Sequence, residues 1–341
     1  MPFYIEYPSW ITPEIIPGFF LRWYGMMYIV AFAVTFVLFK RLVKEERFPM
    51  DNDSMMNLFF WTILGLLIGA RIFAGLFYDP TGRFLRQPWL MFWPIDSSGN
   101  FVGLQGMSYH GGVVGAVIAI VIYCRVKGWS ILKVGDMATT AIPLGYTFGR
   151  IGNFLNGELY GRVTTSWYGV LFPGARRFPA SEEWVQETAA QVGIPIMDEA
   201  GMVNLPRHAS QLYEAFLEGI LLFLVMWFIF RKRKPFEGFM IGLYLAGYGL
   251  VRFIAEYTRA PDHGIGYVLD FSGTNPAPYL FETFRAISMG QVFSGLMVIA
   301  GVLLWLILLQ YHRQKPAVET YSEPAAPKKN ASRKLRQKLK K

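Results

Sequence analysis

Apolar residues run along this 341-residue chain in long stretches, separated by short clusters of basic residues. A helix rising 1.5 Å per residue needs about 20 mainly apolar residues to cross an approximately 30 Å hydrocarbon core. Seven stretches approach that length, at residues 21–39, 55–77, 108–123, 131–154, 208–230, 238–257 and 287–311. The third is short, and the fourth is polar for a span. The pattern predicts an all-α integral membrane protein with seven transmembrane helices. Aromatics and prolines before the first stretch suit a segment lying at the membrane surface.

The flanking charges give an orientation, because short cytoplasmic loops are enriched in lysine and arginine. Lys40, Arg41, Lys44 and Arg47 follow the first stretch; Arg125, Lys127 and Lys133 lie between the third and fourth; Arg231, Lys232, Arg233 and Lys234 follow the fifth. The N-terminus is then outside, the C-terminus is cytoplasmic, and all 13 lysines fall on the inner side. Two outer loops are long, at 78–107 and 156–207, and the second is large enough for a small periplasmic cap. Residues 1–314 read as one seven-helix membrane domain. Residues 315–341, rich in Lys, Pro, Ala and Glu, read as a disordered basic cytoplasmic tail.

Composition agrees with a multi-pass membrane protein: 53% hydrophobic residues and a mean hydropathy of +0.30. The net charge of +9 sits in the topological clusters and the tail, so it does not form a nucleic-acid-binding stripe. Cys124 is the single cysteine, which excludes an intramolecular disulfide, and it reads as a small buried hydrophobe. No cleavable signal peptide is evident, so the first helix serves as the insertion signal. The four histidines are scattered, with no cysteine pair and no His-Glu-x-x-His spacing. No metal or other cofactor is expected. The absence of a Gly-x-Ser-x-Gly elbow and of a phosphate-cradling glycine loop argues against a serine hydrolase or a nucleotide enzyme.

Ionisable side chains inside membrane segments are costly and point to function. The run from Gly149 to Arg162 places two arginines, two asparagines and a glutamate in an apolar neighbourhood. Counting along the helices puts Arg71, Arg252 and Arg150 about 21–28 Å up an approximately 30 Å core, with Tyr24, His110 and His208 at outer ends. All lie in the outer third, which predicts a shared site facing the outer leaflet. Tyr248, Arg252, Glu256 and Arg259 recur at spacings that share one helix face. Arg252 and Glu256 suit a neutralising ion pair; Arg150 and Arg252 equally suit a forked grip on one lipid phosphate. His110 is either a helix-end contact or a general base, and Gly111, Gly112 and Gly115 permit close approach of a helix or ligand. His208 and Gln211 stand where capping and helix-dipole roles are natural, as does Gln291.

The pattern Gly149-Arg150-x-Gly152-Asn153-Phe154-x-Asn156-x-Glu158-x-x-Gly161 resembles the signature of the bacterial prolipoprotein diacylglyceryl transferases. Trp23 to Tyr28, Gly69-Ala70-Arg71, His110-Gly111-Gly112, Arg207 to Glu214, Arg252 to Glu256 and Met289-Gly290-Gln291 extend the likeness in order along the chain. The long basic tail departs from it. The resemblance implies a seven-span enzyme of the bacterial inner membrane with its N-terminus outside. It would transfer the diacylglyceryl group of phosphatidylglycerol to the lipobox cysteine of prolipoprotein signal peptides, releasing glycerol 1-phosphate. It also implies catalytic roles for His110, Arg150 and Arg252, with phosphatidylglycerol bound by the two arginines, Asn153 and Tyr24. Glu158, Asn156, Gly161, Glu256, Tyr248, Arg71, His208, Gln211 and Gln291 would support them, with Glu158 and Glu256 as alternative bases and His110 then a headgroup contact. A transporter or flippase of an anionic lipid is the competing class, but the chain shows no internal repeat of the kind common in transporters.

Overall fold

The computed structural model describes residues 3–16, 22–79, 82–93, 106–197, 201–260, 267–271, 279–280 and 284–314. Residue 21 of the first expected span and the basic tail, 315–341, lie outside the described residues. Seven long helical segments carry the expected apolar stretches: α1 (Trp23–Glu45), α2 (Asn52–Phe77), α3 (Tyr109–Lys127), α4 (Ile131–Leu155), α6 (Ser210–Phe230), α7 (Phe239–Ala255) and α8 (Met289–Gln314). A short helix, α5 (Glu183–Val192), lies in the connection between α4 and α6. Among the described residues, five helices qualify by length and hydropathy to cross a membrane: α1, α2, α3, α6 and α8. Helix α7 has 17 residues and falls short, and α4 is long but carries Asp136, three threonines, Arg150 and Asn153.

Local chemistry sets the helix ends. Asp51 caps α2 by accepting from Ser54 N at 2.8 Å, and Ser108 and Ser130 accept from Gly111 N and Lys133 N at 3.3 Å. Ser108 is thus the cap of α3 and not its first residue. Gly128 closes α3 at φ +68. Several expected ends move. Helix α1 runs on to Glu45 because the charged turn after Phe39 continues it, with Arg41 and Glu45 paired at 3.0 Å. Helix α3 likewise extends to Lys127. Helix α6 starts at Ser210, since Arg207 and His208 pair with neighbouring extended backbone, and α8 starts at Met289 because Ala286–Ser288 forms a strand.

Helix α4 is central. It packs along α1 and against α6 and α7, while α2 pairs with α3 and α7 with α8. Its polar residues are therefore shielded by protein. Glycines at 69 and 111 bring α2 and α3 into backbone contact, and a Cβ on Gly69 would sit 2.3 Å from the Gly111 carbonyl oxygen. The close approach anticipated at Gly111 is made by a helix. Asp136 of α4, 1% exposed, accepts from the backbone N–H groups of Gly238, Met240 and Ile241 at 2.9, 2.9 and 3.2 Å. It caps the N-terminus of α7 from a neighbouring helix and so fixes α7 against α4.

The connection between α4 and α6 folds around its own small core of Val163, Phe178, Val185, Ala189 and Leu205. Within it β3 (Phe178–Pro179) pairs antiparallel with β4 (Met202–Val203). The N-terminal strand β1 (Ile5–Glu6) joins β2 (Val170–Leu171) in parallel, and Tyr7 Oη donates to the carbonyl of Phe154 at 2.9 Å. A third pair, β5 (Tyr267–Asp270) with β6 (Ala286–Ser288), precedes α8. An all-α reading omits these strands, which at two to four residues are too short to show alternation.

Candidate active site

Three helices deliver an arginine–carboxylate network to one place. Arg150 stands four residues after Tyr146 on α4, and its Nε donates to Tyr146 Oη at 2.5 Å while its carbon lies 4.9 Å from that ring's centre. Glu214 and Glu218 of α6 also lie one turn apart, both with 0% exposure. Residues Ala215–Leu221 form a π-helical segment, a widened turn common at functional sites. From α7, Arg252 sets Nη1 3.1 Å from Glu214 Oε2 and 3.3 Å from Glu218 Oε1, and its Nη2 donates to Glu256 Oε2 at 2.7 Å. Arg150 Nε is 3.0 Å from the same Glu214 Oε2. Arg259 reaches Glu214 Oε1 at 3.5 Å, and Tyr146 Oη donates to Glu218 Oε2 at 2.5 Å.

The network balances three arginines against three glutamates, which makes its burial tolerable. The two central arginines are nonetheless used differently. Both Nη nitrogens of Arg252 face carboxylates. Neither Nη nitrogen of Arg150 has a partner among the described residues, although the side chain is only 16% exposed. A guanidinium with a free planar edge is a ready bidentate donor for phosphate. Tyr248, buried on α7, crosses edge-on against Tyr146 with ring centres 5.9 Å apart, and Tyr109 of α3 lies beside Tyr248 within the field of Arg150, Glu218 and Arg252.

The profile of the prolipoprotein diacylglyceryl transferase family matches residues 12–307, and that span contains the whole network. The chain belongs to the prolipoprotein diacylglyceryl transferase family. It is 49% identical over 321 residues to the phosphatidylglycerol-prolipoprotein diacylglyceryl transferase of Treponema denticola, covering 89% of this chain and 94% of the relative. The enzyme of the same name from Treponema pallidum is 47% identical, covering 91% and 97%. That of Chlorobaculum tepidum is 43% identical, covering 87% and 91%.

Within this diacylglyceryl transferase, the expected residues fall into three groups. Arg150, Arg252, Glu256 and Tyr248 share the network, and Ser288 Oγ donates to Glu256 Oε1 at 3.1 Å. Beside it, Asn153 Nδ2 donates to Glu158 Oε1 at 3.0 Å, and Tyr24, 3.0 Å from the Tyr28 hydroxyl, feels the charges of Glu158 and Arg150. Gln211 holds this loop by donating to the Glu158 carbonyl at 2.6 Å, and Gln291 braces the start of α8 by accepting from Ser288 N at 3.0 Å.

The remaining residues have their side-chain partners elsewhere among the described residues, although the backbone of Gly161 bridges that of Arg259. Arg71 donates through Nε to the Met91 carbonyl at 2.5 Å and through Nη1 to that of Gly106 at 3.0 Å, anchoring the connection after α2. Asn156 lines a separate cavity of about 280 Å³ with Thr12, Pro13, Glu14 and Arg22, and its Oδ1 is buried without a partner. Gly161 has no room for a side chain, since a Cβ would lie 2.2 Å from the Thr258 carbonyl oxygen. His208 packs between Tyr168 and Tyr213, and burial, with the Arg162 charge second, pushes its imidazole down to about 4. His110 is exposed on the first turn of α3, and its ring lies 6.1 Å from that of Phe293 on α8. It makes no carboxylate contact among the described residues. Glu218 and Tyr146 were not among the residues expected from sequence, and Glu214 entered only as the last residue of the Arg207 to Glu214 match. The available signal was i, i+4 spacing, which joins Tyr146 to Arg150 and Glu214 to Glu218.

Proposed function

We propose that this chain transfers the diacylglyceryl group of phosphatidylglycerol to the lipobox cysteine thiol of prolipoproteins, releasing glycerol 1-phosphate. The observation that carries the reading is the Nη edge of Arg150, which has no partner among the described residues and is buried beside Arg252 in a family member. The thiolate attacks the glyceryl carbon, a C–S bond forms, and the C–O bond to phosphate breaks. The thiol proton leaves beforehand, and a base is needed because an unperturbed thiol of pKa about 8.5 is mostly protonated at neutral pH. His110, exposed on the first turn of α3, is the candidate base in this reading. Negative charge grows on the departing phosphate, so an oriented guanidinium stabilises the transition state more than the ground state. Asn153, Glu158 and Tyr24 orient the headgroup.

This reading includes seven spans with the N-terminus outside, so that the site opens to the outer leaflet of the bacterial inner membrane. Residues 1–314 then form the transferase domain, with 156–207 as its outer cap and 315–341 as a basic cytoplasmic tail. Both substrates, a lipid and a signal-peptide helix, arrive through the bilayer. Mixing the purified protein with phosphatidylglycerol micelles and a synthetic lipobox peptide tests it. A diacylglyceryl mass increase that requires the peptide cysteine supports the transferase; folded protein that gives no adduct removes it.

A further inference from the structure

Resting on the transferase reading, we propose that Glu214 is a positioning residue, which locks the Nε edge of Arg150 so that the opposite Nη edge is presented to the substrate phosphate. Glu214 has 0% exposure, and its Oε2 lies 3.0 Å from Arg150 Nε and 3.1 Å from Arg252 Nη1, while Oε1 reaches Arg259. One carboxylate thus touches all three arginines of the network. No other group does so among the described residues. Oε2 accepts no aligned hydrogen bond despite these distances, so its hold on the Nε edge of Arg150 is Coulombic, while the Nε hydrogen itself goes to Tyr146 Oη.

Arg252 differs in that Glu218 and Glu256 hold it independently, at 3.3 and 2.7 Å. Among the described residues Arg150 makes direct polar contacts only with Glu214 and Tyr146, and the Glu218 charge reaches it from behind the Tyr146 hydroxyl without an ion-pair contact. Removing the Glu214 charge therefore leaves Arg252 seated and releases Arg150. The two arginines divide the work. Arg150 grips the phosphate, and Arg252 is the internal cation that keeps three buried glutamates together.

A double-mutant cycle tests this. In the wild-type background, Glu214→Gln is expected to lower kcat/KM for phosphatidylglycerol at least about tenfold, the scale of unpairing a buried charge. Glu214→Asp, which keeps the charge, should restore part of that loss. In an Arg150→Lys background, where no fork remains to be oriented, Glu214→Gln should change kcat/KM by less than about twofold. A merely structural role would give the same fold-loss in both backgrounds and no rescue by aspartate, and that result overturns the proposal, as does near-wild-type turnover in the single variant. Thermal unfolding in detergent identifies variants that fail to fold; if Glu214→Gln does not fold, Glu214→Asp against Arg150→Lys completes the cycle. Wild-type protein that makes no peptide adduct would instead remove the transferase reading on which this rests.

Discussion

Replacing Arg150 by lysine keeps the positive charge but removes the fork, and the structure sets the size of the effect. Arg150 uses Nε for Tyr146 Oη and the Glu214 carboxylate, and its two Nη nitrogens donate to no described residue. A lysine ammonium sits on a flexible stem and presents one point charge, so it can stay with Glu214 or approach the phosphate but cannot bridge the two as a planar group. The variant forfeits two charge-assisted hydrogen bonds that are worth about 1.5–3 kcal/mol each, together about 3–6 kcal/mol. At 1.36 kcal/mol per tenfold, kcat/KM should fall by roughly 10²–10⁴. Because these bonds strengthen as charge develops on the leaving phosphate, most of the loss should appear in kcat and little in KM. The assay is glycerol phosphate release from micelles at varied phosphatidylglycerol, at equal folded protein. A variant within about fivefold of wild type would refute the bidentate grip, since even one lost charged hydrogen bond exceeds that.

Three further outcomes follow from the scaffold. Asp136→Asn replaces a carboxylate that holds three backbone donors with a group offering one acceptor oxygen, and should cost about 2 kcal/mol, read as a lower unfolding midpoint in detergent; an unchanged midpoint contradicts the capping role. Gly69→Ala forces a methyl to within 2.3 Å of the Gly111 carbonyl oxygen and should destabilise the α2–α3 pair by about 1–3 kcal/mol, whereas Gly174→Ala, with open space around it, should be neutral. His208 is held down to about 4 against about 6.5 unfolded, so between those values the unfolded chain binds more protons and stability rises with pH, by at most about 3 kcal/mol, to be fully present above about pH 6.5. His208→Gln should flatten that slope, and an identical slope in the variant would assign it to another group.

Much of the site was legible because of a conflict within one helix. Stretch 131–154 has to be a helix among helices yet carries Arg150 and Asn153, and only burial against other polar groups reconciles the two. The helical spacing of Tyr248, Arg252 and Glu256 likewise gave the face that Arg252 and Glu256 share at 2.7 Å. Glu214 escaped because a glutamate near a helix N-terminus already has a sufficient local role in capping and the dipole, so nothing in its own segment called for two arginines from elsewhere. The π-helical turn that follows it is a matter of backbone register, which a hydropathy pattern does not encode. Arg71 is a different case. Its depth matched that of Arg150 and Arg252, but depth along a helix does not give direction, and its guanidinium turns to the carbonyls of Met91 and Gly106.

The most direct test of the central claim is the stoichiometry of a single turnover, with glycerol phosphate and lipidated peptide quantified together from wild-type protein and from Arg150→Ala. One glycerol phosphate released per thioether-linked peptide formed, with both products lost together in the variant, is the predicted result. Glycerol phosphate released without peptide adduct, or adduct formation that survives in Arg150→Ala, would contradict transfer to a thiol through an arginine-held phosphate.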